Sequence, residues 1–576
     1  MSGRVGLGQL LIAPMVFGLM SCSFGEIGMG GGSDGTHPPT TTGPGPVPGV
    51  TPGKPGSGTT PMGLMCTSVP PSVGVSPLRR LTRSQYNHTV RDLLGIPGDY
   101  ATALALDEKV GRFFSNASAP VTDVLVEQYM NTSETLATQA VTTKLNALVG
   151  CDPAKDDQAA CGAKFVDSFG LKAFRRPMLP EERTAMVALF ELGRKDESFA
   201  AGIQRVIQAM LQSPQFLYHI ELGLAPAGSP EIVGLDQYKL GSRLSYFLWD
   251  SMPDPELLRA AGAGELSTPD ALRAQATRLL ADPRAADTIA SFHRQWLGLD
   301  QLPDLEKDAK AYPAYNPAMR DAMDAETARF TNHVIRVADG RLDTLLTAPF
   351  SFVDPALSKL YGITLPAGFD ATKPFNMDAT KRAGILTHAS VLAVHAHADQ
   401  SSPIRRGKMV REDLFCQPLS PPPPGVDITP PVPDPNASTR ERFEMHRKSP
   451  TCAACHTLID PLGFGFENYD GVGAFRTTEA GKPIDASGDI TGTDVDGSFN
   501  GVMELSKKLA QSQDVRTCIA QQWFNYALGR THGDADACSL DAMVQAFSKT
   551  NNIRDLLSML VATDAFRYGR FEKGAP

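Results

Sequence analysis

The sequence is poor in several features at once. No apolar run approaches the roughly 20 residues that a membrane-spanning helix needs. No block of like charge occurs. The 54 basic and 63 acidic side chains are mixed throughout, the formal net charge is −9, and nothing argues for a nucleic-acid partner. No nucleophile elbow, phosphate loop or zinc-protease motif is present. From about Gly25 to Gly63 apolar residues almost vanish. That Gly, Pro, Thr and Ser stretch cannot bury enough surface to fold and reads as a flexible stalk.

What is present points to export. The chain has 576 residues, 42% of them apolar, which fits several domains. Arg4 supplies a weak basic start and Leu10 to Met20 a short apolar core. Leu19-Met20-Ser21-Cys22 then places a small residue before a cysteine, similar to the lipobox of bacterial lipoproteins. Cys22 is the expected lipidation site and mature N-terminus, which anchors the protein to a membrane. The alternative is a plain secretory signal with an incidental Cys22. The expected location is the periplasm or the cell surface, and the sequence does not say which membrane holds the anchor.

Nine cysteines are present. With Cys22 lipidated and Cys452 and Cys455 set aside, six remain, enough for three disulfides in an oxidising compartment, although six allow 15 connectivities. Short polar loops favour Cys151–Cys161 and Cys518–Cys538, leaving Cys66–Cys416 by elimination. Free buried thiols are the alternative.

The body reads as mainly α. Thr82-Arg83-Ser84-Gln85 is a capping box, followed by Tyr86, Val90, Leu93 and Leu94 at helical spacing and Gly95 as a stop. Helices are expected from about Val121 to Leu148 and after Leu179-Pro180-Glu181-Glu182. Ile203, Val206, Ile207, Met210 and Leu211 form a strong stripe closed by Ser213-Pro214. A new unit starts after Ala225-Pro226-Ala227-Gly228, with Leu240, Leu244, Phe247 and Leu248 as its first stripe, ended at Met252-Pro253. Further helices are expected over Pro269–Leu280, Ala285–Leu297 and Ala318–Val337, and in the last segment around Trp523–Leu528 and Leu556–Leu560. Pro421 to Pro424 should be extended polyproline.

One motif carries chemistry. Cys452-Ala453-Ala454-Cys455-His456 has the Cys-x-x-Cys-His pattern of c-type haem attachment. One helical turn sets both thiols toward the porphyrin vinyl groups and His456 under the iron as axial ligand. A thioredoxin-like motif would need a βαβ context, and a zinc site a second ligand pair; neither is present. A structural disulfide is the remaining alternative. Asp460, Glu467 and Asp470 do not have EF-hand spacing and read as turn caps.

The segment from Met445-His446 through Cys452, Cys455 and His456 to Ile459-Asp460-Pro461-Leu462-Gly463-Phe464-Gly465-Phe466-Glu467-Asn468-Tyr469-Asp470-Gly471 closely resembles a family of large exported bacterial proteins. These planctomycetal-type cytochrome-c-domain proteins are built of consecutive domains of unknown function. Leu81 to Gly95 resembles the first module. Ala173-Phe174-Arg175-Arg176-Pro177 and Gln212 to Tyr218 resemble the second. Arg243 to Trp249 resembles the third, Ser402-Pro403-Ile404-Arg405-Arg406-Gly407 with the haem segment the fourth, and Tyr526 to Arg530 the fifth.

The expected architecture is a multi-module helical protein with a cytochrome c-like haem-binding module near the C-terminus. Its divisions are a signal over 1–22, a linker over 23–75 and helical modules over 76–150, 151–225 and 226–375. The haem module follows over 376–490 and a last helical module over 491–576. By analogy with small cytochromes c, the Pro461 carbonyl is expected to accept the other ring N–H of His456, fixing its tautomer, with Leu462, Phe464 and Phe466 walling the haem. The distal ligand is open among Met409, His388, His395, His397, Met445 and His446. One covalent haem c in a lipid-anchored protein implies electron transfer with a periplasmic or surface redox partner. A haem peroxidase-like enzyme, or a binding or scaffold protein with a structural haem, are the alternatives.

Overall fold

The computed structural model describes residues 66, 71–221, 231–421, 425, 429–444 and 450–570. The lipidation candidate Cys22, nearly all of the stalk, the turn at 225–228, Pro422 to Pro424, Met445 and His446 lie outside the described residues.

The described chain is mainly helical, and its strands form only two-stranded pairs. Helix α1, Arg83–Leu94, is fixed at both ends by its sequence. The Thr82 hydroxyl accepts from the Gln85 N–H at 3.2 Å, the Gln85 side chain accepts from the Thr82 N–H at 3.3 Å, and Gly95 turns left-handed at φ 67°. Helix α2, Asp123–Thr143, is followed by α3, Gln158–Ala173, and α4, Pro180–Asp196, which begins on the predicted proline. Helix α5, Phe199–Gln212, buries its whole stripe from Ile203 to Leu211 and stops at Ser213-Pro214. These helices share a core of their own, centred on Leu136, Phe165, Ile203 and Met210.

A second, larger core runs from Val73 to Phe566. It takes in α6, Gln237–Trp249, α7, Pro269–Ala281, α8, Ala285–Trp296, and α9, Pro317–Asn332. Helix α6 stops earlier than its Met252-Pro253 signal, because Asp250 adopts a left-handed φ of 55° and caps it. Helix α9 gives way at His333 to a widened turn through Val337. The same core holds α10, Pro403–Met409, α11, Pro450–Phe464, and the C-terminal helices α12 (Gly501–Gln511), α13 (Gln513–Leu528), α14 (Ala537–Thr550) and α15 (Ile553–Ala562). The predicted modules are therefore consecutive in sequence, but the later ones share one interior. No helix among the described residues is long and apolar enough to cross a membrane.

Three disulfides close the described chain. Cys151 joins Cys161. Cys518 does not join Cys538, nor Cys66 Cys416: Cys416 pairs with Cys518 and Cys66 with Cys538. The cause is helix geometry. Cys518 lies ten residues before the end of α13, about 15 Å up the helix at 1.5 Å per residue, whereas Cys538 sits in the first turn of the next helix. A disulfide needs Cα atoms within about 7 Å. The inward face of α13 instead brings Cys518 to Cys416, Cα to Cα 5.3 Å.

Candidate functional site

Helix α11 carries the Cys-x-x-Cys-His motif in its first turns. Positions 452, 455 and 456 are spaced i, i+3 and i+4, so the two thiols and the imidazole share one face. Cys452 and Cys455 are unpaired and half-buried, while the six other described cysteines are all in disulfides.

One turn beyond the imidazole lies Asp460, fully buried, whose Oδ1 is 2.9 Å from His456 Nδ1. Its Oδ2 is buried without a hydrogen-bond partner. Asp460, not the carbonyl of Pro461, thus meets the second ring nitrogen. Pro461 sits inside α11 and turns its carbonyl against Gly488, where a Cβ would lie 3.0 Å from the Pro461 carbonyl carbon and overlap its oxygen. Gly488 belongs to the hairpin of Ser487–Ile490 with Gly497–Asn500. A carboxylate at i+4 from His456 on one helix face is legible in the sequence, one residue before the expected Pro461.

Two glycines let α11 lie almost on the backbone of α10. A Cβ on Gly407 would meet the Ile459 carbonyl, and one on Gly463 would meet that of Pro403. Beside this crossing, Arg406 is wholly buried and works as a clamp. Its guanidinium donates to the carbonyls of Tyr469 at 2.8 Å, Phe466 at 3.1 Å, Asp470 at 2.6 Å and Leu392 at 3.1 Å. It so holds the turn that follows the motif helix. Arg411 does the same for α11 itself, donating to the Leu458 and Thr491 carbonyls. Arg406 lies within the quoted Ser402 to Gly407 segment, but its function as a carbonyl clamp had no sequence signal.

The acidic trio divides into three roles. Asp460 holds His456. Glu467, buried, accepts from Ser401 at 2.8 Å and Arg476 at 2.9 Å. Asp470 accepts the backbone N–H groups of Val472 and Ala474 and caps their turn. Among the described residues no group of three or more His, Cys, Asp or Glu could hold a metal ion. Leu462, Phe464 and Phe466 are fully buried, with Leu462 and Phe466 in the large core.

The described distal candidates are spread over the fold. His388 is buried beside Thr327 of α9, its Nδ1 3.0 Å from that hydroxyl, and burial pushes its pKa down to about 3. His395 Nε2 is 2.9 Å from the Leu297 carbonyl, and burial lowers it to about 4. His397, half-buried, is lowered to about 4, also by burial. Met409 is buried at the end of α10.

Five family models match the chain, each described as a protein of unknown function: DUF1587 over 79–142, DUF1595 over 161–221, DUF1592 over 235–363, DUF1588 over 382–479 and DUF1585 over 496–566. No curated protein and no solved structure matches. The motif helix falls within the DUF1588 segment, whose model also bears the label PSCyt3. With all five domains in this order over most of its length, the chain belongs to the planctomycetal-type cytochrome-c-domain family and fits a cytochrome-like protein.

Proposed function

We propose that this protein is an exported, lipid-anchored c-type cytochrome that carries one covalent haem and transfers electrons to or from a periplasmic or surface redox partner. The observation that carries the reading is the site on α11. Its only unpaired described cysteines sit one turn apart, beside a histidine whose second nitrogen is held by a buried carboxylate. This donor set fits haem c. Cys452 and Cys455 would hold the porphyrin by thioether bonds and His456 the iron. The group, when bound, supplies one-electron chemistry. Asp460 holds the imidazole in one orientation and favours the tautomer with the proton on Nδ1, so that Nε2 would be the ligating nitrogen. The α10–α11 crossing and the Arg406 clamp keep that helix from shifting. His388 and His395 are already held by Thr327 and the Leu297 carbonyl. If the iron takes a second protein ligand, Met409, His397, Met445 or His446 would supply it.

One observation favours the peroxidase-like alternative. A carboxylate on the proximal histidine makes the ligand more basic than a neutral carbonyl would, which favours the oxidised iron. One spectrum separates the two. Protein made with c-type maturation should keep its haem through acid-acetone extraction and show low-spin bands insensitive to carbon monoxide after reduction. High-spin bands with rapid carbon monoxide binding would transfer the assignment to the peroxidase-like reading. Haem staining on a denaturing gel that survives Cys452→Ala with Cys455→Ala would end both. For the anchor, Cys22→Ala should release the protein from the membrane fraction. An unmodified, internally cleaved N-terminus in the mass spectrum would refute lipidation.

A further inference from the structure

A sizeable cavity in the described chain lies away from the motif helix. It has a volume of about 700 Å³ and opens where α1, α6, α8, α9 and α13 meet. Those helices come from three of the five matched domains, the first, third and last in chain order. No residue of the Cys-x-x-Cys-His segment lines it. A volume of this size is ordinary for a small-molecule site.

We propose that this cavity binds a neutral, polyhydroxylated ligand of about disaccharide size.

The argument rests on which polar groups are already spent. Of the five arginines that line the cavity, Arg79 faces Glu221 at 3.9 Å, Arg329 donates once, to the Ala371 carbonyl at 3.3 Å, and the other three are tied up more fully within the protein. Arg83 donates to the carbonyls of Ala105 and Thr102, Arg294 to both oxygens of Asp324 at 2.7 Å, and Arg243 to buried Glu221 and the Phe566 carbonyl. The bonded edges of these three are not open to a phosphate or carboxylate. Carboxylates, by contrast, remain available. Asp250 accepts from the Ser84 hydroxyl through one oxygen, and its other oxygen accepts no hydrogen bond among the described residues. Asp287, with 54% of its side chain exposed, accepts none among them. Both flank His88, whose Nδ1 is 3.4 Å from Asp250 and whose Nε2 is 3.8 Å from Asp287. The carboxylates tip the imidazole toward its charged form against the cost of burial, so it balances part of their charge.

The cavity therefore presents open acceptors, a nearby donor and no large net field, since five arginines and four aspartates line its wall. A cation would meet the arginines and an anion the aspartates. A hydroxyl suits both, giving its proton to a carboxylate and accepting from the imidazole. Phe247, Phe114 and Tyr526 supply the apolar surface that the C–H face of a sugar ring needs. Asp250 is held in its left-handed backbone conformation at φ 55°, where it ties α1 to α6 through Ser84 and puts its carboxylate on the wall.

Calorimetric titration of the full chain with cellobiose, maltose and sucrose tests this, with putrescine and inorganic phosphate as charged probes. At least one sugar should bind saturably, and neither charged probe should match it. Asp287→Ala, at an exposed position, should weaken that binding about tenfold or more, as loss of a hydrogen bond to a charged group does. His88→Gln is the second variant, with melting temperature as the check on folding. No binding by any of the three sugars overturns the proposal. So does sugar binding that both variants leave unchanged, or phosphate or putrescine binding as tightly as the sugar. The titration reads this cavity whether or not the haem assignment stands.

Discussion

Replacing Gly407 by alanine tests how the motif helix is held. The added Cβ would lie 2.7 Å from the Ile459 carbonyl carbon and 3.1 Å from the Gly463 nitrogen, with the Ile459 oxygen closer still. These are backbone atoms of α11, so no side-chain rotation relieves the clash. The two helices must separate. Separation strips contact from Leu462 and Met409, both buried, and pulls the Phe466, Tyr469 and Asp470 carbonyls away from Arg406. Overpacking of a filled interior costs about 1–3 kcal/mol, and a loosened buried guanidinium adds to it, so about 3 kcal/mol is expected. Its effect on Tm depends on what unfolds together. If all 576 residues melted as one unit, an unfolding entropy of about 2.1 cal/mol/K per residue gives about 1.2 kcal/mol/K, and Tm falls by about 2–3 °C. A segment of about 100 residues around the motif, melting alone, would shift by about 4–8 °C for each kcal/mol. The shared core predicts the small shift, read by scanning calorimetry on wild type and variant. Gly533→Ala, where a Cβ meets nothing within 4 Å, is the control and should be near neutral. Gly407→Ala as stable as that control would refute the close crossing. A large shift confined to one of two transitions would refute the common core.

Three further variants probe the rest of the molecule. With the proposed haem bound, Asp460→Asn, which removes the carboxylate beside His456, should raise the midpoint potential by about 60–120 mV, as a loss of about 10–100-fold felt mainly by the oxidised iron does. An unchanged potential in a redox titration would show that the carboxylate does not tune the site. Cys416→Ser with Cys518→Ser opens a crosslink of 102-residue separation, and loss of its loop constraint should cost about 4–5 kcal/mol. Non-reducing digestion should release a Cys416–Cys518 peptide pair, and recovery of Cys518 with Cys538 would contradict the structure. Burial pushes Glu326 up to about 7, against 4.5 for its ordinary state, so the native protein holds a proton there that the unfolded chain has lost. Its contribution is complete below pH 4.5 and lost as pH rises to about 7, at up to about 1.4 kcal/mol per pH unit. Between those limits Glu326→Gln should gain stability with pH more steeply than wild type in urea titrations. Parallel profiles would refute the buried neutral acid.

Local rules did well where the structure is local. The Thr82 box, the Gly95 stop, the proline start of α4 and the stripe of α5 all lie in the chain where their residues announce them, because each depends on contacts within one or two turns. Pairing across the chain followed other causes. Cys518 and Cys538 look like a short loop in sequence, but a helix of fixed rise separates them, and only the tertiary face of α13 decides that Cys416 is the partner. The candidate site shows the same division. Cys452, Cys455 and His456 are set by helical spacing and are readable, and Asp460 was equally readable at i+4. Arg406 and Ser401 act across 60 and 66 residues, and nothing in their neighbourhood foretells the carbonyl or carboxylate they meet.

That division bears on why so large a chain surrounds one short motif. A five-residue attachment segment needs only a turn of helix, yet α11 is fixed by α10 at Gly407 and Gly463, by the hairpin at Gly488, and by Arg411 from the segment after α10. Arg382 extends the hold, donating to the carbonyls of Thr387 and Gly473 while lying 3.7 Å over the Tyr361 ring. Tyr361 in turn donates to Glu326 on α9. The motif helix is thereby tied, through main-chain carbonyls and one buried acid, to the third domain. Such ties specify position more than they add stability, since each buried polar group repays only its own desolvation. A site held this way keeps a ligand histidine in one orientation. It follows that cutting the chain at the DUF1588 boundaries, 382 and 479, leaves the Arg382 guanidinium without the Tyr361 ring it lies over and the Tyr469 hydroxyl without the Lys381 carbonyl. The isolated segment should expose hydrophobic surface and bind a fluorescent apolar dye, whereas the full chain should not. A 382–479 fragment that folds with a sharp thermal transition would show that the motif module is self-sufficient and that the shared interior is packing alone.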